Sequence, residues 1–325
     1  MPTIISIASG KGGVGKSIIA SNLALQFSRH GQRVVIVDLD IGGANLHILF
    51  GVLSPSPTLS DFLERKIDSL NLAVHPLSWA KGLGFIPGTG ETLIAGNLLH
   101  TKKQRLLRQL KSLDADIIIL DCAPGTNYHT LDCFLCADFH VTVATPDPTS
   151  VIEVYRFMKL AAIRKVITHL SRQLAGEVKH SLTNQEFSTV QEVLEAFGQT
   201  GEGQKAEARS ILMDFCPYFI LNRVTDKAKF STSSLQQVVS KFLDTELIVL
   251  GEIPQDDAVS QAIRHYLPVI DRSPFSPAST ALTQTFYALQ QRLTHTQPIT
   301  STPNSPRLRF PTTRPTSLAH SRTRR

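Results

Sequence analysis

The sequence predicts a single α/β domain whose mostly parallel, twisted sheet carries helices on both faces. Two observations predict it. Short apolar runs bounded by turns alternate with longer segments of helical spacing, the pattern of successive β-α-β units. The runs are also apolar at nearly every position, as in "RVVIVDLD" and "DIIILD", and strands of that kind are covered on both faces.

The elements follow in order. "TIISIA" (3–8) is a buried strand running into a glycine-rich loop, and "SIIASNLALQFSRHG" has helical spacing until Gly31 stops it. "RVVIVDLD" is the second strand. "LGFIPG" (83–88), a leucine-rich helix over "NLLHTKKQRLLRQLKSL" (97–113), and the strands "DIIILDCAPG" and "FHVTVATPD" continue the alternation. A helix begins near Pro148 and its pattern changes after Ile163. Residues 167–214 are mostly polar and helix-forming, broken by "GQTGEGQ" (198–204), which predicts an inserted helical segment. The sheet returns with "PYFILNRV" (217–224) and "LIVLGEIP" (247–254), and a last helix runs from about Pro277 to Leu293 with Leu282, Phe286, Leu289 and Leu293 on one face. The domain is thus expected over 1–293, with a tail over 294–325.

The net charge of +6 belongs to that tail. It holds Arg307, Arg309, Arg314, Arg322, Arg324 and Arg325 and no acid, so the rest of the chain balances to zero. Rich in Pro, Ser, Thr and Arg, the tail lacks the apolar residues to fold, and the body is not basic in the way of a DNA-binding domain. No apolar stretch approaches the roughly 20 residues that cross a bilayer, and the amino terminus has no signal-peptide pattern. The expected location is the cytoplasm. Cys122, Cys133, Cys136 and Cys216 are too few to staple the chain and are expected as free thiols. Cys133 and Cys136 form a CxxC, which on a helix and without a second pair is expected to pack in the core; metal or redox use is the alternative.

"ASGKGGVGKS" (8–17) carries the chemistry. Gly10, Gly15, Lys16 and Ser17 satisfy G-x-x-x-x-G-K-[ST], with a strand before and a helix after. Gly10, Gly12, Gly13 and Gly15 let the backbone curl around Val14 so that N–H groups point inward, and the helix amino terminus adds partial positive charge. Lys16 reaches the β- and γ-phosphates, and the Ser17 hydroxyl ligates Mg2+. The acids such a loop needs must come from neighbouring strand ends, where Asp38, Asp40 and Asp121 stand.

Together with "VDLDIGGANLHILFG", "LDCAPGTNYHTLD", "ILNRV" and "GEIPQDDAVSQAIRHYLPVI", this loop and its early lysine resemble the deviant-Walker P-loop ATPases of the MinD/ParA family, on the side of the FlhG (FleN, YlxH) branch that controls flagellar number. The resemblance covers 2 to about 165 and 215–292. It implies ATP and Mg2+ as cofactors, slow hydrolysis, and an ATP-dependent homodimer in which Lys11 contacts the nucleotide of the other subunit. It gives Asp40 the role of first-switch aspartate, Asp38 and Asp121 the magnesium side, and Gly125 the second switch. Asn222 is implied to hydrogen-bond the adenine, with Pro254, Gln255 and Asp256 walling the base. "DCAPGT" and His47 depart from the family's usual switch residues.

The resemblance further implies a protein partner, a flagellar regulator or activator, and peripheral placement at the membrane or cell pole. The tail cannot form the carboxy-terminal amphipathic helix with which relatives hold membrane. "KKQRLLRQLK" (102–111) is read as a solvated helix face, with DNA binding in a partition ATPase as the alternative. A third reading, an iron–sulfur carrier or reductase, would use Cys133 and Cys136.

Overall fold

A computed structural model describes residues 1–40, 43, 45–88, 100–170, 187–226 and 230–296. The strands are β1 Thr3–Ala8, β2 Val34–Asp38, β3 His75–Pro76, β4 Leu83–Ile86, β5 Ile117–Asp121, β6 Phe139–Ala144, β7 Tyr218–Val224 and β8 Ile248–Pro254. They form one sheet in the order β3-β4-β2-β5-β1-β6-β7-β8. All pairs are parallel except β3 with β4 at one edge. β1 is central, with β5 on one side and β6 on the other, at the switch point where such sheets bind ligands.

Alternate residues of each strand feed two cores. Ile4 and Ala8 face one, Ile5 and Ile7 the other, and every residue of β1 is buried. On the first face lie α3 (Leu59–Leu63), α4 (His100–Leu110), α5 (Tyr128–Leu135) and α6 (Pro148–Leu170). With them are α7 (Val190–Gly198), α8 (Glu202–Met213) and α9 (Thr232–Leu243). On the second lie α1 (Lys16–Arg29), α2 (Leu46–Leu49), α10 (Asp257–Arg264), α11 (Val269–Arg272) and α12 (Pro277–Thr296). The apolar stripe of α12 meets α1 as the sequence predicts: Leu282, Phe286, Leu289 and Leu293 are buried, and Phe286 stands edge-on to Phe27 at 4.8 Å. Burying side chains of this size contributes about 1.5–3 kcal/mol each.

Past Ile163, where the sequence pattern changes, α6 continues to Leu170, because Val166, Ile167 and Leu170 stay on its buried side. The segment expected as an insertion, 167–214, lies within the connection from β6 to β7. Its helices α7 and α8 break at Gly198–Gly201 and place Val190, Val193, Leu194, Phe197, Ala208, Ile211 and Leu212 in the main core. Residues 171–186 of that segment, the start of the helix expected from 97, and the tail from 297 lie outside the described residues.

Candidate functional site

The loop between β1 and α1 is shaped by two glycines whose missing side chains matter. A Cβ on Gly10 would lie 2.1 Å from the Glu153 carbonyl oxygen of α6, so no other residue fits. Gly15 caps α1 in the left-handed region (φ 99°), and a Cβ there would stand 2.2 Å from Asn222 Nδ2. The Asn222 amide donates to the Val14 carbonyl at 2.7 Å, so a buried side chain at the end of β7 braces the loop from behind. Ser9 donates its hydroxyl to the Lys11 carbonyl at 2.6 Å, and its own carbonyl accepts the Gly125 N–H at 3.2 Å. That bond joins the loop after β5, where Gly125 has φ 94°, directly to the phosphate loop. Gly12 and Gly13 are exposed, and Gly13 also takes a positive φ of 77°.

The two lysines part company. Lys16 is only 8% exposed, at the first turn of α1. Lys11 is exposed, and its Nζ donates to Thr149 Oγ1 at 3.1 Å on the first turn of α6.

Parallel pairing of β2 with β5 sets Asp38 and Asp121 side by side, and pairing of β1 with β5 sets Asp121 beside Ile7, one residue before the loop's entry strand ends. Both carboxyls are buried. Asp38 accepts from the N–H groups of Asp40 (3.1 Å) and Leu46 (3.2 Å), which fixes the chain leaving β2. Burial, then the charge of Asp121, pushes its carboxyl up from the ordinary range. Burial pushes Asp121 up too, opposed by the Ser17 hydroxyl that donates to it and by nearby Lys16. One oxygen of Asp121, Oδ1, is buried without a hydrogen-bond partner among the described residues. Two buried acids, one with an orphaned oxygen, beside a hydroxyl and a phosphate loop, are a donor set that suits a hard divalent cation such as Mg2+. Ser17, Asp38 and Asp121 would hold it, and it would neutralise phosphate charge there.

Asp40 is half-buried at the exit of β2, its carboxylate packed against Gly43, where a Cβ would approach to 3.3 Å. Residues 41, 42 and 44, in the stretch expected to form the first switch, lie outside the described residues. On the far side of the loop, Lys11, Gly12, Gly13 and Val14 meet Thr145, Pro146, Asp147, Arg223, Thr225 and Gln255 around an open cavity of about 370 Å³. Gln255 lies on its wall. Pro254 ends β8. Asp256 instead works within the fold, where its oxygens accept from Ala258 N–H (2.9 Å) and Ala278 N–H (3.0 Å), capping α10 and tying it to α12.

The alternative motifs are committed elsewhere. Cys133 is buried on the inner side of α5, and the Cys136 thiol donates to the Cys133 carbonyl; burial holds both thiols well above their usual range. In the basic stretch, Lys103 is buried against Asp132, which Arg164 also grips at 2.8 Å. Arg105 stacks on Phe62 at 4.0 Å and donates to the carbonyls of Phe62, Ile67 and Asp68. The expected solvated face is therefore half structural.

A family model described as ParA: NUBPL iron-transfer P-loop NTPase matches residues 1–212. The antiactivator FleN of Pseudomonas aeruginosa is 26% identical over 292 residues, covering 89% of this chain and 85% of its own. The flagellum site-determining protein YlxH of Helicobacter pylori is 33% identical over 184 residues, 54% of this chain and 59% of its own length. In the solved structures, septum site-determining MinD from Pyrococcus horikoshii, complexed with Mg-ADP, superposes with a TM-score of 0.63 at 20% identity, covering 92% of this chain and 100% of that one. With the loop, the strand-end acids and the sheet order all in place, the chain belongs to the ParA/MinD family of P-loop NTPases.

Proposed function

We propose that the chain is an ATP-driven dimerisation switch of the FlhG kind, acting in flagellar number or placement. The observation that carries the switch is Lys11. It is presented by the same loop that buries Lys16, yet it points outward to Thr149 and leaves its own loop's interior. A cation so placed is available to phosphate charge across an interface, which in this reading makes hydrolysis depend on a second copy.

In this reading Lys16 and the loop N–H groups hold the phosphates of ATP. Asp40 orients the attacking water, and Gly125 lets the second switch follow the γ-phosphate through its bond to Ser9. Turnover is slow and needs Mg2+ at Ser17, Asp38 and Asp121. Closing the dimer presents a surface to a protein partner at the cell pole or membrane. No described helix is long and apolar enough to cross a membrane. A flagellar role is supported by FleN, whose match covers 89% of this chain.

An iron–sulfur role, suggested by the iron-transfer members of the family, is less well supported, because Cys133 is buried in the core and the Cys136 thiol is bonded to the Cys133 carbonyl. Partition by DNA binding is less well supported because Lys103 and Arg105 are engaged within the fold. Deleting the gene in its host tests the cellular role: a changed number or position of flagella is expected, and normal flagella with defective plasmid or chromosome inheritance would overturn it.

A further inference from the structure

A second cavity, of about 410 Å³, opens between α6, α7, α8 and α9 and shares no lining residue with the one beside the phosphate loop. The helices expected as an insertion, α7 and α8, supply part of its wall through Val190, Leu194 and Arg209. Its cations come from three helices: Lys159 from α6, Arg209 from α8 and Lys241 from α9. Asp244 is the one acid that lines it among the described residues, and Arg209 meets it at 3.4 Å with both side chains more than half exposed. Lys159 spends one of its three N–H donors on the Ser188 carbonyl at 2.8 Å. The wall therefore keeps an excess of positive charge.

The apolar residues around it are not the ones that folding uses. α9 packs the row Leu235, Val239 and Leu243 into the main core, whereas Val238 and Phe242, also one turn apart, stay 39% and 56% exposed. Phe242 lines the cavity, with the Lys241 ammonium 5.3 Å from its ring. On α8, Met213 stands one turn beyond Arg209 and is exposed as well. Aromatic, methionine and arginine side chains gathered on a surface are the composition of protein interfaces. Neither Val238 nor Met213 lines the cavity, so an occupant confined to it would leave both in water.

We propose that this cleft docks an acidic, amphipathic segment of a partner protein, with Phe242 as its apolar anchor and Lys159, Arg209 and Lys241 as the cations that read its carboxylates. The chain's own tail, with six arginines and no acid, has the wrong charge to fill it. The proposal gives α7 and α8 a task beyond covering the sheet. It deepens the reading of the chain as a switch that presents a surface to a partner, and rests on that reading only for the timing of docking.

The probe is a library of short random peptides displayed on phage and panned on the full chain. Selected peptides should be rich in Asp and Glu beside Leu, Phe or Trp, and a synthetic copy should lose about tenfold or more in affinity for Phe242→Ala, the scale of a truncated interface anchor. The same peptide with its acids changed to lysine should bind a variant carrying Arg209→Glu and Lys241→Glu better than it binds the unaltered chain. That gain cannot come from misfolding. Selected peptides without acids, or acidic peptides indifferent to Phe242→Ala, would overturn the proposal. So would self-association of the nucleotide-free chain that Phe242→Ala abolishes, which would give the cleft to a second copy. Repeated on Asp40→Ala, binding that obeys the charge swap but is equal in ATP and ADP upholds the cleft and counts against the ATP-driven switch, so the two readings fail separately.

Discussion

The two halves of one loop obey opposite rules. Val14 to Ser17 are buried or half-buried, backed by Asn222 and tied to Asp121, so every contact they make is internal. Lys11 to Gly13 are exposed, with one side-chain bond from Lys11 to Thr149. A cradle must be rigid before its ligand arrives, since any ordering left to the binding step subtracts from affinity. A cation meant for another molecule must stay outside and within reach. In the proposed switch the inner half serves this chain's nucleotide and the outer half the partner's.

The comparison breaks most sharply at Gly10. Gly10→Ala puts a Cβ against the rigid Glu153 carbonyl, and should abolish nucleotide binding and cost about 3 kcal/mol of stability or more, read by denaturant unfolding. Next, Lys11→Ala should lower ATP turnover by about a thousandfold, as loss of a trans cation does, while ATP affinity stays within about threefold; phosphate release and equilibrium binding measure the two. Lys16→Ala gives the converse, with nucleotide affinity reduced about a hundredfold by loss of a buried phosphate-binding cation. Asn222→Ala should have a smaller effect, costing about 1–2 kcal/mol for an unpaired buried carbonyl at Val14 and weakening ATP and triphosphate alike.

The smallest effect lies behind the site and serves as a control. Burial disfavours ionised Asp132, but hydrogen bonds from Arg164 and Lys103 win and hold its carboxyl below the ordinary range. The stability it contributes is therefore present above the unfolded-state pKa of about 3.9 and is lost as pH falls through its folded value. Asp132→Asn should remove that acid dependence in thermal melts from about pH 5 to pH 2, without altering ATP-dependent association at pH 7.

What the sequence made legible follows from which contacts are local. The phosphate loop is a contiguous motif whose context of strand and helix is written beside it, and the buried strands stand out by composition. The two-residue β3 at His75–Pro76 has no period to detect. Lys103 and Arg105 look like solvent cations because their partners, Asp132 and the Phe62–Asp68 carbonyls, lie far along the chain. Nor can the sequence show that Asn222 turns inward and Arg223 outward, since that depends on a bulge and a positive φ in a residue that rarely takes one.

The outer half of the loop decides the account. Sedimentation velocity with ATP and Mg2+ should show Asp40→Ala as a dimer that reverts to monomer in ADP. Adding Lys11→Ala to that variant should return it to monomer while ATP stays bound. A doubly substituted protein that still dimerises with ATP would contradict the trans role of Lys11.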